Sequence, residues 1–172
     1  TTGSLGETGT AVERVEYLDA ERRVRRINAR GIIRETVLDP MGRVIEEAEA
    51  VATPQARRRE FPHDANGNLL SESDWRGNAT LHVYDAANRR VESLAPLGRR
   101  TVTTYDANGN PLSRTLSDGN LGPASIRRWM FAYQHPLDLL TETRRFGGTE
   151  QLVTVAEHDA NGNLVAETTP AG

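Results

Sequence analysis

The sequence predicts an all-β protein, a repetitive antiparallel β-hairpin meander whose open sheet curls or spirals. Three observations predict it. One turn motif recurs, as HDANGNLLSES from His63, YDANGNPLSRT from Tyr105 and HDANGNLVAET from His158. The stretches between turns are short and rich in Thr, Val, Leu and Tyr, side chains that suit a pleated surface. No capped helical period competes; VIEEAEAVA at residues 44–52 is the one rival.

Taking the Asp of each motif as an anchor, Asp64, Asp85, Asp106 and Asp159 are plain, and Asp19 and Asp39 are looser. The slot in front of them holds Tyr17, Leu38, His63, Tyr84, Tyr105 and His158, at intervals of 21, 25, 21, 21 and 53 residues. Tyr133 with Gln134 supplies the copy hidden in the last interval, splitting it into 28 and 25. An independent register supports this frame: thirteen residues after the anchors stand Gly77, Gly98, Gly119, Gly147 and Gly172, although only 15 of 172 residues are Gly. Residues 1–14 read as the flexible end of a fragment, and residues 15–172 as about seven units of roughly 21–28 residues.

Each unit carries two turns. Asn66-Gly67, Asn108-Gly109 and Asn161-Gly162 suit a two-residue type I′ hairpin turn, with the preceding Asp bonding backbone amides. A looser turn centres on the glycine at plus thirteen, as in DWRGN and APLGR. Between them, Thr80, His82 and Tyr84 share one sheet face and Ala79, Leu81 and Val83 the other; Thr101, Thr103 and Tyr105 repeat the pattern. Trp129, Phe131 and Tyr133 form the strongest apolar face. Stacking of successive Tyr and His across strands is the expected cohesion. Up to about fourteen twisting strands curl rather than stay flat. Extra residues beside the second turn put the longer loops on one rim.

Composition narrows the function. Only 37% of residues are apolar and 5% aromatic, lean for a two-layer globule. There is no Cys, so disulfides and thiolate metal sites are excluded. With 21 basic and 24 acidic residues the charge nearly balances, which argues against nucleic acid. All the basic residues are Arg; they are spread along the chain, Arg57-Arg58-Arg59 being the densest run, so codon bias explains them better than a phosphate patch. No apolar run approaches a membrane span, and TTGSLGETGT is no signal peptide. The missing initiator Met suggests a piece of a longer protein.

Sharper chemistry fares poorly. DANGN offers oxygens for calcium, but an EF-hand needs Gly sixth and Glu twelfth; here Gly is fourth and the twelfth residues are Trp75, Ser117 and Pro170. Of the zinc candidates His63, His82, His135 and His158, none has helical spacing, and two fill the Tyr slot. Glu47, Glu72 and Glu167 each stand eight after an anchor, a scaffold's periodicity rather than a catalytic pair. No G-x-S-x-G elbow is present. The expectation is a non-enzyme without cofactor or metal. Trp75, in a turn, is the candidate ligand contact if the chain is instead a surface module that binds carbohydrate or protein.

VYDAANRR, TYDANGNPLSRTLSDG and HDANGNLLSESDWRGN resemble the YD repeats of Rhs proteins, whose relatives include the C component of Tc insecticidal toxins and the animal teneurins. The resemblance runs from about Val15 to Gly172 and rests on Tyr84, Asp85, Tyr105, Asp106 and the repeat glycines Gly67, Gly109, Gly162, Gly77, Gly98, Gly119 and Gly147. It implies a strip of β-hairpins that spirals into a hollow shell around a C-terminal toxin domain. This chain would be a segment of such a shell in a secreted, surface-displayed or delivered bacterial protein. Its partners would be neighbouring repeats and the enclosed domain, with self-association through open edge strands expected of an isolated segment.

Overall fold

The computed structural model describes residues 13–119, 126–134, 136–147 and 150–170. Among the described residues run fourteen strands: β1 (Arg14–Leu18), β2 (Arg23–Ile27), β3 (Ile33–Leu38), β4 (Val44–Glu49), β5 (Arg57–Glu60), β6 (Ser71–Ser73), β7 (Ala79–Tyr84), β8 (Arg90–Leu94), β9 (Arg99–Tyr105), β10 (Pro111–Asp118), β11 (Arg127–Gln134), β12 (Leu139–Gly147), β13 (Glu150–His158) and β14 (Leu164–Thr168). They form two antiparallel sheets, ordered β1-β2-β3-β4-β5 and β14-β13-β12-β11-β10-β9-β8-β7-β6. Within each sheet, strands adjacent in sequence are neighbours, so the meander is as expected. The helical rival at residues 44–52 is strand β4 followed by a turn, with Ala50 and Ala52 at φ 54° and 64°. The chain up to Asp64 with Ser71–Asn78 is one compact unit, and Ala65–Leu70 with the chain from Ala79 onward is a second. Residues 1–12, His135 and Gly172 lie outside the described residues.

The hairpin tips are not two-residue turns. At Asp106 the N–H donates to Asn110 O (2.9 Å) and Gly109 N–H returns to Asp106 O (3.3 Å), which closes a three-residue loop. The same pair of bonds closes the loops at Asp39, Asp85 and Asp159. In a type I′ turn both central residues would have positive φ; here only the third loop residue does, at Gly42, Gly67, Gly109 and Gly162, or Asn88 (φ 60°) where the copy lacks Gly. The aspartate explains the preference: its Oδ1 accepts two loop N–H groups, as Asp85 does from Ala87 and Arg89 at 2.9 Å each. Asn28 and Asp74 build the same loop in ARGI and WRGN, with Gly31 and Gly77 at positive φ. One residue beyond each anchored tip the register slips. Tyr84 pairs with Arg90 but Val83 with Glu92, which leaves Val91 as a bulge, and the same slip occurs between Val37 and Leu38 and between Glu157 and His158.

Burial runs against hydropathy. Within β7, His82 is 6% exposed, whereas Leu81 and Val83 are each 50% exposed. The Thr80, His82 and Tyr84 face is therefore the shielded one. In β11 the half-buried residues are Trp129, Phe131 and Tyr133, with Met130 and Ala132 exposed. Among the described residues Ala48 is the one buried apolar side chain and no large side chain is fully buried, so a conventional oil core does not hold this fold. Cross-strand pairs within each sheet carry that task.

Candidate functional site

The residues that repeat are those that join one unit to the next. Tyr84 donates its hydroxyl to Leu69 O (3.0 Å), and Tyr105 donates to Arg90 O (3.1 Å). In both cases the acceptor stands five residues after the preceding anchor. Sequence reasoning expected stacking; the Tyr slot instead works through a hydroxyl that reaches the neighbouring unit's backbone. Arg89 strengthens the joint. It donates through Nε to Asp85 (2.7 Å) and through a terminal nitrogen to Asp106 O (2.7 Å), and its guanidinium covers the Tyr105 ring at 4.8 Å. Asn68 donates to Asn88 (2.8 Å), and Asn108 to Asp138 (3.0 Å), linking loop to loop.

His63 and His158 fill the same slot and are too short for that reach. Each leaves a buried Nδ1 without a hydrogen-bond partner. His82 bonds Ser93 through Nδ1 at 2.6 Å.

The anchors are acid-strengthened by the loops they close. The Arg89 N–H bond holds Asp85 below the usual carboxylate range, against partial desolvation and with help from the Arg89 side chain and the Ala87 N–H. The Asn163 side chain does the same for Asp159, and the Asn78 side chain for Asp74. At Asp39 and Asp106 burial pushes the carboxyl up, but bonds from Arg43 and Asn110 outweigh it and the net shift is downward.

The plus-thirteen glycines divide by role. Gly77 closes a loop like that of the anchors. Gly98 (φ 79°) follows Leu97 (φ 65°) in the APLGR turn, where Ala95 N–H donates to Arg99 O at 2.8 Å. Gly119 donates to Gly98 O (3.2 Å), and a Cβ there would meet Gly98 O at 3.0 Å and its Cα at 3.3 Å. Two repeat glycines thus pack backbone against backbone. Gly147 ends β12, paired with Glu150.

In the first unit the arginine run on β5 finds its counter-charges on the preceding strand, β4. Arg57 donates to Glu49 (2.8 Å), Arg58 to Glu46 (3.3 Å) and Arg59 to Glu47 (2.7 Å), while Arg34 reaches Glu49 from β3 (2.8 Å). Glu35 is 4% exposed and held between Arg23 and Arg25, the latter at 2.8 Å. Burial raises the Glu35 carboxyl, and the two guanidiniums bring it below its ordinary value. Trp75 is half-buried rather than freely exposed: Arg59 lies 4.8 Å and Arg57 5.5 Å from its ring centroid. Its neighbours line a groove of about 410 Å³ with Arg26, Arg34, Glu47 and Glu49, whose charges are largely paired with one another.

No helix among the described residues is long and apolar enough to cross a membrane. Residues 84–121 match the family RHS Repeat. No curated protein matches the chain. Among solved structures, the crystal structure of TcdB2-TccC3-TEV is similar over 86% of this chain at TM-score 0.62 and 19% identity. That of TcdB2-TccC3 is similar over 81% at TM-score 0.59 and 19% identity. The Photorhabdus luminescens Tc holotoxin pore is similar over 88% at TM-score 0.53 and 20% identity. The chain spans 8% of the length of each of these chains. The matched segment contains Tyr84-Asp85 and Tyr105-Asp106 with the joints they make, and the Asp-closed loop recurs on either side of it at Asp39 and Asp159: residues 84–121 are similar to an RHS repeat, and the chain shares its fold with part of the Tc toxin chains.

Proposed function

We propose that this chain is a wall segment of the β-sheet shell of a secreted bacterial Rhs-type toxin, and that the shell contains a C-terminal toxin domain until delivery. The observation that carries this reading is how the chain is held together. Recurring residues are spent on unit-to-unit joints, the Tyr84 and Tyr105 hydroxyls and the Arg89 bridge, rather than on a core or a cluster of reactive groups. Such a quasi-one-dimensional strip extends by adding units. A sheet with every backbone group paired along its interior strands is also a continuous barrier. Its role is steric and non-enzymatic, and its partners are the flanking repeats and the contained domain. Residues 85–105 form one whole unit, so deleting them from the parent protein shortens the wall while keeping its register. The proposal expects the producing cell to suffer from the released domain. Unchanged growth at equal protein level would count against containment.

A further inference from the structure

The second unit carries a groove beside the Tyr105–Arg90 joint. It lies over β8–β11, has a volume of about 380 Å³, and is bordered by Arg90 and Arg114, with Ser93, Thr101 and Thr103 below and Phe131 at one side. That volume falls in the range that small ligands occupy, roughly 300–1,000 Å³. The register places these groups together: Ser93 pairs with Thr101, Thr103 with Arg114, and Arg114 in turn with Trp129.

Two guanidiniums border the groove. The adjacent arginines are neutralised, Arg89 by Asp85 at 2.7 Å and Arg100 by Glu92 at 2.6 and 2.8 Å. Glu92 borders the groove, but Arg100 holds both of its oxygens. Arg90 and Arg114 are exposed and, among the described residues, have no carboxylate in ion-pair range. The Arg90 backbone is fixed by the Tyr105 hydroxyl at 3.1 Å, so this cation projects from a pinned site. Guanidinium groups favour a carboxylate bound through two parallel N–H bonds. Three hydroxyls beside them match a polyhydroxylated ligand, and the Phe131 ring offers an apolar surface to the C–H face of a sugar.

We propose that this groove binds an acidic sugar, a pyranose bearing a carboxylate, with Arg114 and Arg90 holding the carboxylate and Ser93, Thr101 and Thr103 the hydroxyls. Nucleic acid fits less well, because the two cations bordering this groove, in a chain of net charge −3, supply little phosphate neutralisation.

The test titrates the 172-residue chain by calorimetry with trigalacturonate and with its methyl ester, which differ in charge but not in the hydroxyl pattern. Binding of the acid at least about tenfold tighter than the ester is expected, a gap of about 1.4 kcal/mol. Arg114→Gln should abolish that preference, Arg114→Lys should keep only part of it, and Phe131→Leu should weaken both ligands. Arg128→Gln, on the opposite face of β11, should change neither. Near-ultraviolet circular dichroism identifies any variant that has lost its fold. Equal affinity for acid and ester, no binding of either, or equally tight binding of polyglutamate at matched charge would overturn the proposal.

Discussion

Tyr105→Phe removes one hydroxyl and keeps the ring beneath Arg89. The bond to Arg90 O at 3.1 Å is deleted; the guanidinium–ring contact at 4.8 Å is retained. A neutral hydrogen bond contributes about 0.5–1.5 kcal/mol net. Because Tyr105 is only half-buried and water can reach the freed carbonyl, the lower half of that range, about 0.5–1 kcal/mol, is expected. For a chain of this size that is a fall in Tm of about 1–4 °C. Tyr105→Ala also removes the cation–π contact, about 0.5–1 kcal/mol at an exposed site, together with the packing of the ring. Urea unfolding followed by tryptophan fluorescence compares the two variants, and amide hydrogen exchange at Arg90–Leu94 localises the effect, since two compact units need not unfold together. If Tyr105→Phe matched the parent protein within about 0.2 kcal/mol, or was as damaging as Tyr105→Ala, the joint would not depend on its hydroxyl.

The same joints and loops set further expectations. His158→Tyr should replace a buried, unpartnered nitrogen with a hydroxyl able to reach the carbonyl of Leu139, five after the preceding anchor position, and raise stability by about 0.5–1.5 kcal/mol in urea unfolding; a net loss would contradict the proposed role of the slot. Gly119→Ala should cost about 1–3 kcal/mol, because its Cβ meets the Gly98 backbone at 3.0 Å. Gly42→Ala, with nothing within 4 Å of the new Cβ, should show only the strain of its positive φ, about 1–2 kcal/mol, so a clearly larger loss at Gly42 than at Gly119 would refute the packing argument. Stability should fall in acid: Asp74, Asp85, Asp106, Asp159 and Glu49 are all lowered in the folded chain, so near their unfolded values the unfolded state binds more protons. Their contribution is complete above about pH 4–5 and drains as the pH drops through their folded values. Melting temperatures that stayed flat from pH 6 to pH 3 would rule this out.

The sequence made the strands and the period plain because both are local. Asn-Gly marked the tips after Asp64, Asp106 and Asp159, yet the dipeptide is compatible with a two-residue or a three-residue loop, and the difference lies in whether Asn108 or only Gly109 takes positive φ. The aspartate's bond to the residue four later, at Asn110, Arg89 and Arg43, is a feature of the folded loop. The loop at Asn28 escaped notice because an Asn anchor replaced Asp. Alternation in β7 separated two faces correctly but could not say which was shielded. Hydropathy points to Leu81 and Val83, whereas the hydroxyl and imidazole bonds of Tyr84 and His82 draw the other face into contact. The cover over Trp75 leaves no local trace, because its arginines lie on a strand some sixteen to eighteen residues before it.

The central claim, a wall that contains the domain C-terminal to it, is tested most directly by limited proteolysis of the parent protein. The segment downstream of these repeats is monitored both in the intact chain and as an isolated fragment. The account predicts that it resists cleavage only in the intact chain, while the exposed Asn-Gly loops at Asn66 and Asn161 are cut first. Digestion of the downstream segment at the same rate in both settings would contradict containment.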